Sequence, residues 1–339
     1  MKPEDVAKLS RQEKHKIIER IVVRYPLFNH VRSQLRHCQT FSKIAAEPEC
    51  ALITGVRGSG KTTMLDSYAA EYPRIITSEG VIVPVLTVRV PTPASTKNLV
   101  TEFLDSLGDP NPAAGSVHAQ TIRLRSLIKE CKVELIMLDE FHQFLDRDSY
   151  SILYEMTDWL KNFIDKTKLP FALWGLTYSN IILKTNEQLE RRFSIREKIT
   201  PLAWTPHNGQ QINEATFFKF LKYLDDGLPF VERSRLDSEE MAFRIYYATN
   251  GIVGFIMKLI RRAAFFAIEK DLPALNLKVL AKAYEERLSH NDQKRKNPFK
   301  VEIRDLNLKD IEKFGKELEL MPSRVKGKKS KLKELINSI

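Results

Sequence analysis

Residues 55–62 have the types and spacing to hold a triphosphate. Gly55-Val56-Arg57-Gly58-Ser59-Gly60-Lys61-Thr62, followed by Thr63, fits the phosphate-loop pattern G-x-x-x-x-G-K-[ST] at every fixed position. Glycines let successive backbone N–H groups curl around phosphate oxygens, and the start of the following helix adds its dipole. In that pattern Lys61 reaches the β- and γ-phosphates and Thr62 holds Mg²⁺, so ATP with Mg²⁺ is the expected ligand. A second constellation is Leu135-Ile136-Met137-Leu138-Asp139-Glu140, an apolar run closed by two carboxylates. Asp139 is expected to bind Mg²⁺ through water, and Glu140 to polarise the water that attacks the γ-phosphate. His142 follows, either as a γ-phosphate sensor or as the cap of the next helix. The run Pro170 to Thr177 ends in small and polar residues, which makes Thr177 the candidate polar sensor of an oligomeric ATPase. Further on, Arg191-Arg192 stand before Phe193. They fit an arginine finger that enters a neighbouring subunit's ATP site, with Arg192 favoured because it directly precedes the apolar Phe193. The plain alternative is a solvated basic pair.

The elements around these residues read as α/β. Cys50 to Thr54 is a short β-compatible run before the phosphate loop, and Thr63 to Ala70 reads as the helix after it. Residues 4–24 have helical spacing, broken at Arg24-Tyr25-Pro26, and a second helix carries Val31, Leu35 and Cys38. The stretch Tyr25 to Val31 is a candidate neighbour of the adenine, on chain order alone. Val81 to Val90 reads as one strand, with Pro84 near its start marking an edge or entry position. Ser95 or Thr96 caps a helix through Leu99, Phe103 and Leu107. Residues 117–131 form a helix with Ile122, Leu124, Leu127 and Ile128 inside, and residues 149–166 a strongly amphipathic one. Ile199 to Trp204 closes the α/β part.

Beyond it the spacing is helical only, over 211–224, 237–249, 252–269 and 276–288, with Asn250-Gly251 as a stop signal. The expected organisation is a helical segment over 1–48, an α/β core over 49–205, a small α-helical lid over 206–289 and a basic C-terminal tail over 290–339. The tail holds Lys294, Arg295, Lys296 and Lys300, and then Arg324, Lys326, Lys328, Lys329, Lys331 and Lys333 with no acid among the second group. It is either a solvated tail or an interaction tail for nucleic acid or protein.

Composition narrows the class. At 339 residues, 43% hydrophobic and 29% charged, the chain is an ordinary globular protein with room for more than one domain. No apolar run has the length of a membrane span, and the charged N-terminus, Met1 to Ser10, is not a signal peptide, so no membrane partner is expected. Cys38, Cys50 and Cys131 have no metal-ligand spacing and read as core residues in a reducing, cytoplasmic setting. A net charge of +11 favours a polyanionic partner.

In order and spacing these pieces resemble the TnsC/TniB family of AAA+ ATPases that regulate DNA transposition. The resemblance runs over residues 15–265. It rests on Cys50 to Thr63, Leu138-Asp139-Glu140-Phe141-His142, Leu169-Pro170 leading into Gly175, Gln188 to Phe193, and Pro201-Leu202-Ala203-Trp204. It implies an AAA+ P-loop fold, a parallel β-sheet flanked by helices with a small helical lid. It also implies ATP bound and hydrolysed between neighbouring subunits, and assembly as a hexameric ring or helical filament on double-stranded DNA. The assembly connects target-selector proteins to a transposase, in some members with CRISPR effectors, and the setting is prokaryotic and DNA-associated. The family's DNA-facing loops map onto the segment after the second strand, which makes Thr96 and Lys97 the DNA candidates, with Arg89 and Arg123 behind them. The chain departs from the family pattern at Leu176-Thr177, in its basic tail, and at Gly254, where related ATPases place a sensor arginine. Lys258, Arg261 or Arg262 are the alternatives for that role. Two other readings stay open: a replication initiator or helicase loader of the same fold, and a nucleotide-gated scaffold with little turnover. Glu140 argues against the second, and residues 290–339 are short and highly charged for the DNA-reading domain the first would need.

Overall fold

Capping residues and apolar periodicity set where each element begins and ends. The computed structural model describes residues 3–147, 150–204, 216–288 and 296–306. In chain order the elements are α1 (Pro3–Ala7), α2 (Arg11–Arg20), α3 (Pro26–Phe41), β1 (Ala51–Gly55), α4 (Lys61–Ala69), β2 (Ile75–Thr77), β3 (Gly80–Ile82), β4 (Val85–Arg89), α5 (Thr96–Leu107) and α6 (Val117–Glu130). They continue with β5 (Leu135–Asp139), α7 (Tyr150–Thr167), β6 (Phe171–Gly175), α8 (Asn180–Lys184), α9 (Glu187–Arg192), β7 (Ile195–Ile199), α10 (Thr216–Gly227), α11 (Glu239–Thr249), α12 (Val253–Glu269) and α13 (Leu277–Arg287). Short 3₁₀ turns at Phe141–Arg147 and Thr177–Ser179 follow β5 and β6. The described residues fall into two compact units, an α/β unit of 27–57, 61–147 and 150–199 and a helical unit of 3–26, 58–60, 200–204, 216–288 and 296–306.

The α/β unit is built on a parallel five-stranded sheet in the order β4-β5-β6-β1-β7. The central strands β5 and β6 are buried at every residue, as strands covered on both faces must be. The run expected as one strand over 81–90 is split. Residues 80–82 pair antiparallel with β2, and Pro84, which has no N–H to donate, separates them from β4 at the sheet edge. The opposite edge, β7, escaped the sequence reading because Ile195-Arg196-Glu197-Lys198-Ile199 has an apolar residue only at each end.

Helix starts in this unit are capped locally. Ser95 Oγ accepts from Asn98 N at 3.2 Å, Ser116 Oγ from Ala119 N at 3.3 Å, and Asn186 Oδ1 from Leu189 N at 3.1 Å. Gly108, at φ 88°, ends α5 in the left-handed region. One expected core residue is misplaced by sequence periodicity: Ile122, expected inside α6, is 50% exposed. Leu124 and Ile128 pack inward as expected, and Gln120 joins them on that face. Because all five strands are parallel, Gly55, Arg89, Asp139, Gly175 and Ile199 all sit at the carboxyl edge of the sheet, where ligands of such folds bind.

In the helical unit, α2 opens with a reciprocal capping box between Ser10 and Glu13. Its far end is closed by Arg261 of α12, whose guanidinium donates to the carbonyls of Ile18 at 3.3 Å and Glu19 at 3.0 Å. The residues before Pro26 thus group with the helices that follow the sheet, whereas the sequence reading had placed 1–48 together. Tyr25 is buried edge-on to Phe220 of α10 at 5.6 Å. Buried Asp225 accepts from the backbone N–H of Ser234 at 3.1 Å and holds the turn after α10. Burial still pushes its carboxyl above the usual range. Asn250, at φ 51°, ends α11 as expected. Segment 296–306 is held to α11 by Arg244, whose guanidinium donates to the carbonyls of Pro298 and, at 2.7 Å, Val301. Lys300 pairs with Glu285 at 2.5 Å. The rest of the expected basic tail, 290–295 and 307–339, lies outside the described residues. All three cysteines are buried, and desolvation pushes the thiols of Cys38 and Cys50 up to about 12. No helix among the described residues is long and apolar enough to cross a membrane.

Candidate nucleotide site

The loop between β1 and α4 has the conformation its glycines demand. Gly58 and Gly60 adopt φ of 78° and 93°, in the region that side chains with a Cβ avoid. Val56 is buried, and Arg57 is exposed. Ser59 is 2% exposed, and its hydroxyl has no partner among the described residues. A buried orphan hydroxyl inside a phosphate-type loop marks a place where a ligand oxygen completes the bonding. Lys61 opens α4, and its ammonium donates to the carbonyls of Gly55 and Val56, at 2.9 Å each. Burial pushes this ammonium down to about 8, partly opposed by the negative charges of Glu140 and Asp139.

Thr62 and Asp139 come together as expected, the Thr62 hydroxyl donating to Asp139 Oδ2 at 3.0 Å. The same hydroxyl and carboxylate can share a hard cation through oxygen, so the residues present fit Mg²⁺. Among the described residues no cluster of three or more His, Cys, Asp or Glu could hold a metal by protein ligands alone.

Two neighbours of Asp139 were not anticipated as part of this site. Asp66 lies four residues after Thr62 on α4, the spacing that returns to the same helix face and the one sequence signal that could have found it. Its carboxyl is pushed up by burial first and by the charge of Asp139 second, with Arg89 pulling the other way. Arg89, a DNA candidate by sequence, ends β4 in register with Asp139 and places Nη2 at 3.9 Å from its carboxylate while its side chain stays largely exposed.

Glu140 follows β5 at φ 59°, a backbone region costly for a residue with a side chain. Its N–H donates to Asp139 Oδ1 at 2.8 Å, and its carboxylate lies 3.3 Å from His142 Nε2. His142 is buried, with Tyr178 edge-on at 5.9 Å. Beside the two roles raised for His142, the structure sets its Nε2 against the Glu140 carboxylate. Thr177, half-buried, opens the turn after β6, the strand beside β5. That turn closes tightly, because a Cβ at Gly175 would collide with Ser179.

The two arginines of α9 differ in a way the sequence did not show. Arg192 donates through Nε to Asp165 Oδ1 at 2.9 Å, pairs with it again through Nη2, and donates through Nη1 to the Gln188 carbonyl at 2.8 Å. Arg191 is exposed and has no ion pair among the described residues. Asp165 stands on α7, too distant in sequence for any local rule to connect it.

The remaining DNA candidates also separate. Lys97 is exposed on the first turn of α5. Thr96 is 3% exposed. Arg123 is spent on Asp109 at 3.0 Å and on the carbonyls of Ala114 and Asn111. In the helical unit, Gly254 N donates to Gly58 O at 2.7 Å, and a Cβ at Gly254 would lie 2.5 Å from that oxygen. This explains the missing arginine at 254. Of the alternatives for that role, Arg261 closes α2, Arg262 pairs with Glu286, and Lys258 is exposed.

Comparison with known proteins agrees with this geometry. Residues 14–200 match the family model TniB, described as bacterial TniB protein. No curated protein matches the chain. Among solved structures, the fold is similar to the ORC2 protein of Aeropyrum pernix in ADPNP-ADP complexes, with a TM-score of 0.57 at 13% identity over 83% of this chain and 74% of that one. Cdc6p of Pyrobaculum aerophilum gives 0.58 at 16% identity over 80% and 71%. The ORC1 protein of Aeropyrum pernix in complex with DNA gives 0.51 at 13% identity over 95% and 85%. At these identities the likeness concerns the fold, which is that of the AAA+ P-loop ATPases.

Proposed function

The chain belongs to the bacterial TniB family, and from that premise we propose that it is an ATP-dependent regulator of DNA transposition. In this reading it assembles on double-stranded DNA, hydrolyses ATP at subunit interfaces and connects target-selector proteins to a transposase. The observation that carries the enzymatic part is the convergence of Lys61, Thr62, Asp139 and Glu140 at one edge of the sheet. Lys61 exchanges its two carbonyl partners for phosphate oxygens of ATP. Thr62 and Asp139 hold Mg²⁺, which supplies charge neutralisation at the phosphates. Glu140, directed by His142, takes the proton from the water as its oxygen attacks the γ-phosphorus and ADP leaves. The DNA part is supported by the family, by the net charge of +11, and by exposed Lys97. The ORC1 protein of similar fold, solved with DNA, is a precedent for that use of the architecture. Contacts of this kind go to phosphates, so binding is salt-sensitive with little sequence preference.

The test is assembly. Mixed with ATP and duplex DNA, the protein should form rings or filaments visible by electron microscopy, and Glu140→Gln should keep ATP and stay on DNA longer than wild type. Monomers alone under those conditions would reject assembly on DNA. Faster release by Glu140→Gln would reject Glu140 as the catalytic carboxylate.

For the residue supplied to the neighbour's site, the free guanidinium favours Arg191 over Arg192. Arg191→Ala is expected to lower DNA-stimulated ATP turnover by about 10³-fold with an unchanged melting temperature. Arg192→Ala is expected to cost about 2 kcal/mol of stability, by losing charged hydrogen bonds to Asp165. Steady-state turnover and thermal melts of the two variants, side by side, decide which arginine does what.

A further inference from the structure

We propose that the cleft between the C-terminal ends of α6 and α7 docks an acidic segment of a partner protein that carries an apolar anchor. The cleft has a volume of about 570 Å³ and lies wholly within the α/β unit. Four cations line it: Arg125 and Lys129 from α6, Lys132 just beyond it, and Lys166 from the last turn of α7. All four are exposed, and no carboxylate lines the cleft with them. Of the acids nearby, Glu134 is paired with Lys43 and Gln39 and Asp165 with Arg192, while Glu130, exposed at the end of α6, does not line the cleft.

Lysines near helix C-termini complement the helix dipole, which accounts for part of this placement. It does not account for Arg125 in the body of α6, nor for Ile122, which lines the same cleft half in solvent. Ile128, Val133 and Leu169 complete the apolar part of the lining. An apolar centre within a charged rim is the anatomy of a protein interface, in which charge selects the partner and the apolar contact holds it. That combination favours a protein segment over duplex DNA, because phosphates would satisfy the cations and leave Ile122 and Leu169 uncovered.

The cleft is also remote from the nucleotide. It opens beside Val133 and Leu169, just before β5 and β6 begin, whereas Asp139 and Gly175 end those strands. The strand length puts roughly 16 Å between the two sites. A docked segment can therefore sit there while ATP is bound.

The experiment selects a displayed library of random peptides on the full-length protein, with counter-selection on the double variant Lys129→Glu/Lys132→Glu. Enriched peptides are expected to combine Asp or Glu with Leu, Ile or Phe. Measured by fluorescence anisotropy, they should bind wild type at least about tenfold tighter than either the double variant or Ile122→Ser. Both variants should retain wild-type ATP affinity, which shows that they fold. No enrichment over counter-selection overturns the proposal, as do enriched peptides without acids, or a peptide that the Ile122→Ser variant binds equally well. A DNA duplex that displaces the peptides while losing affinity for the double variant, and not for Ile122→Ser, assigns the cleft to nucleic acid instead. The outcome does not depend on assembly on DNA, so failure of either reading leaves the other standing.

Discussion

Lys61→Ala is expected to abolish ATP binding while leaving the empty protein at least as stable as wild type. In the proposed role the ammonium meets the β- and γ-phosphates, and among the described residues it donates to the Gly55 and Val56 carbonyls. Burial lowers it from 10.5 to about 8. A lysine depressed in the folded state binds its proton more weakly there than in the unfolded chain. The charge is therefore destabilising below the unfolded value, and fully so below about 8. That difference corresponds to about 3 kcal/mol at neutral pH, of which the two carbonyl hydrogen bonds return a part. Thermal melts without nucleotide should place Lys61→Ala level with or above wild type, with the gap narrowing as pH rises from 8 towards 10.5. With ATP and Mg²⁺ added, only wild type should gain melting temperature, since only a ligand that binds the folded state shifts the equilibrium. A nucleotide-dependent shift in the variant would remove Lys61 from the phosphate site.

The second large effect is expected at Gly254. Its N–H donates to Gly58 O, and an added Cβ would stand 2.5 Å from that oxygen and 3.1 Å from Gly58 Cα. Real Cβ atoms do not approach backbone that closely, so Gly254→Ala must push the loop glycine away or tilt the start of α12. The N–H groups of the loop are useful only when aimed at one point, so a shift of a few tenths of an ångström weakens several bonds to phosphate together. We expect Gly254→Ala to lose about tenfold or more in ATP affinity, in line with 1–3 kcal/mol for forced overpacking. Gly254→Arg, the residue of related ATPases, should do worse here. Nucleotide titration measures both; unchanged affinity would show that the loop does not depend on this glycine pair.

Most of the fold and the centre of the site could be read from local pattern. The phosphate loop, Asp139 and Glu140 follow from motif and apolar run, and the helix starts at Ser95 and Ser116 from capping chemistry. What could not be read depends on partners distant in sequence. Arg192 looked free until Asp165 was brought to it by α7. Arg123 finds its partners in Asp109 and the carbonyls before α6, which no spacing rule connects to it. The strand that carries Arg89 was legible, but its register against Asp139 was not. Strand β7 was invisible because an edge strand with three charged residues between two isoleucines carries almost no hydrophobic signal. Ile122 was assigned inward with Leu124 and Ile128, but it stands half in solvent and lines the cleft.

The three buried cysteines have a practical consequence. Cys38 and Cys50 have no accessible surface, Cys131 has very little, and burial raises all three thiols. At neutral pH the folded chain therefore presents almost no thiolate to an alkylating dye. The natural protein is already a silent background for site-specific labelling: a single cysteine introduced at exposed Lys219 or Lys278 should take up maleimide alone. Energy transfer between labelled copies could then follow assembly and docking on the same molecules without first removing a native residue.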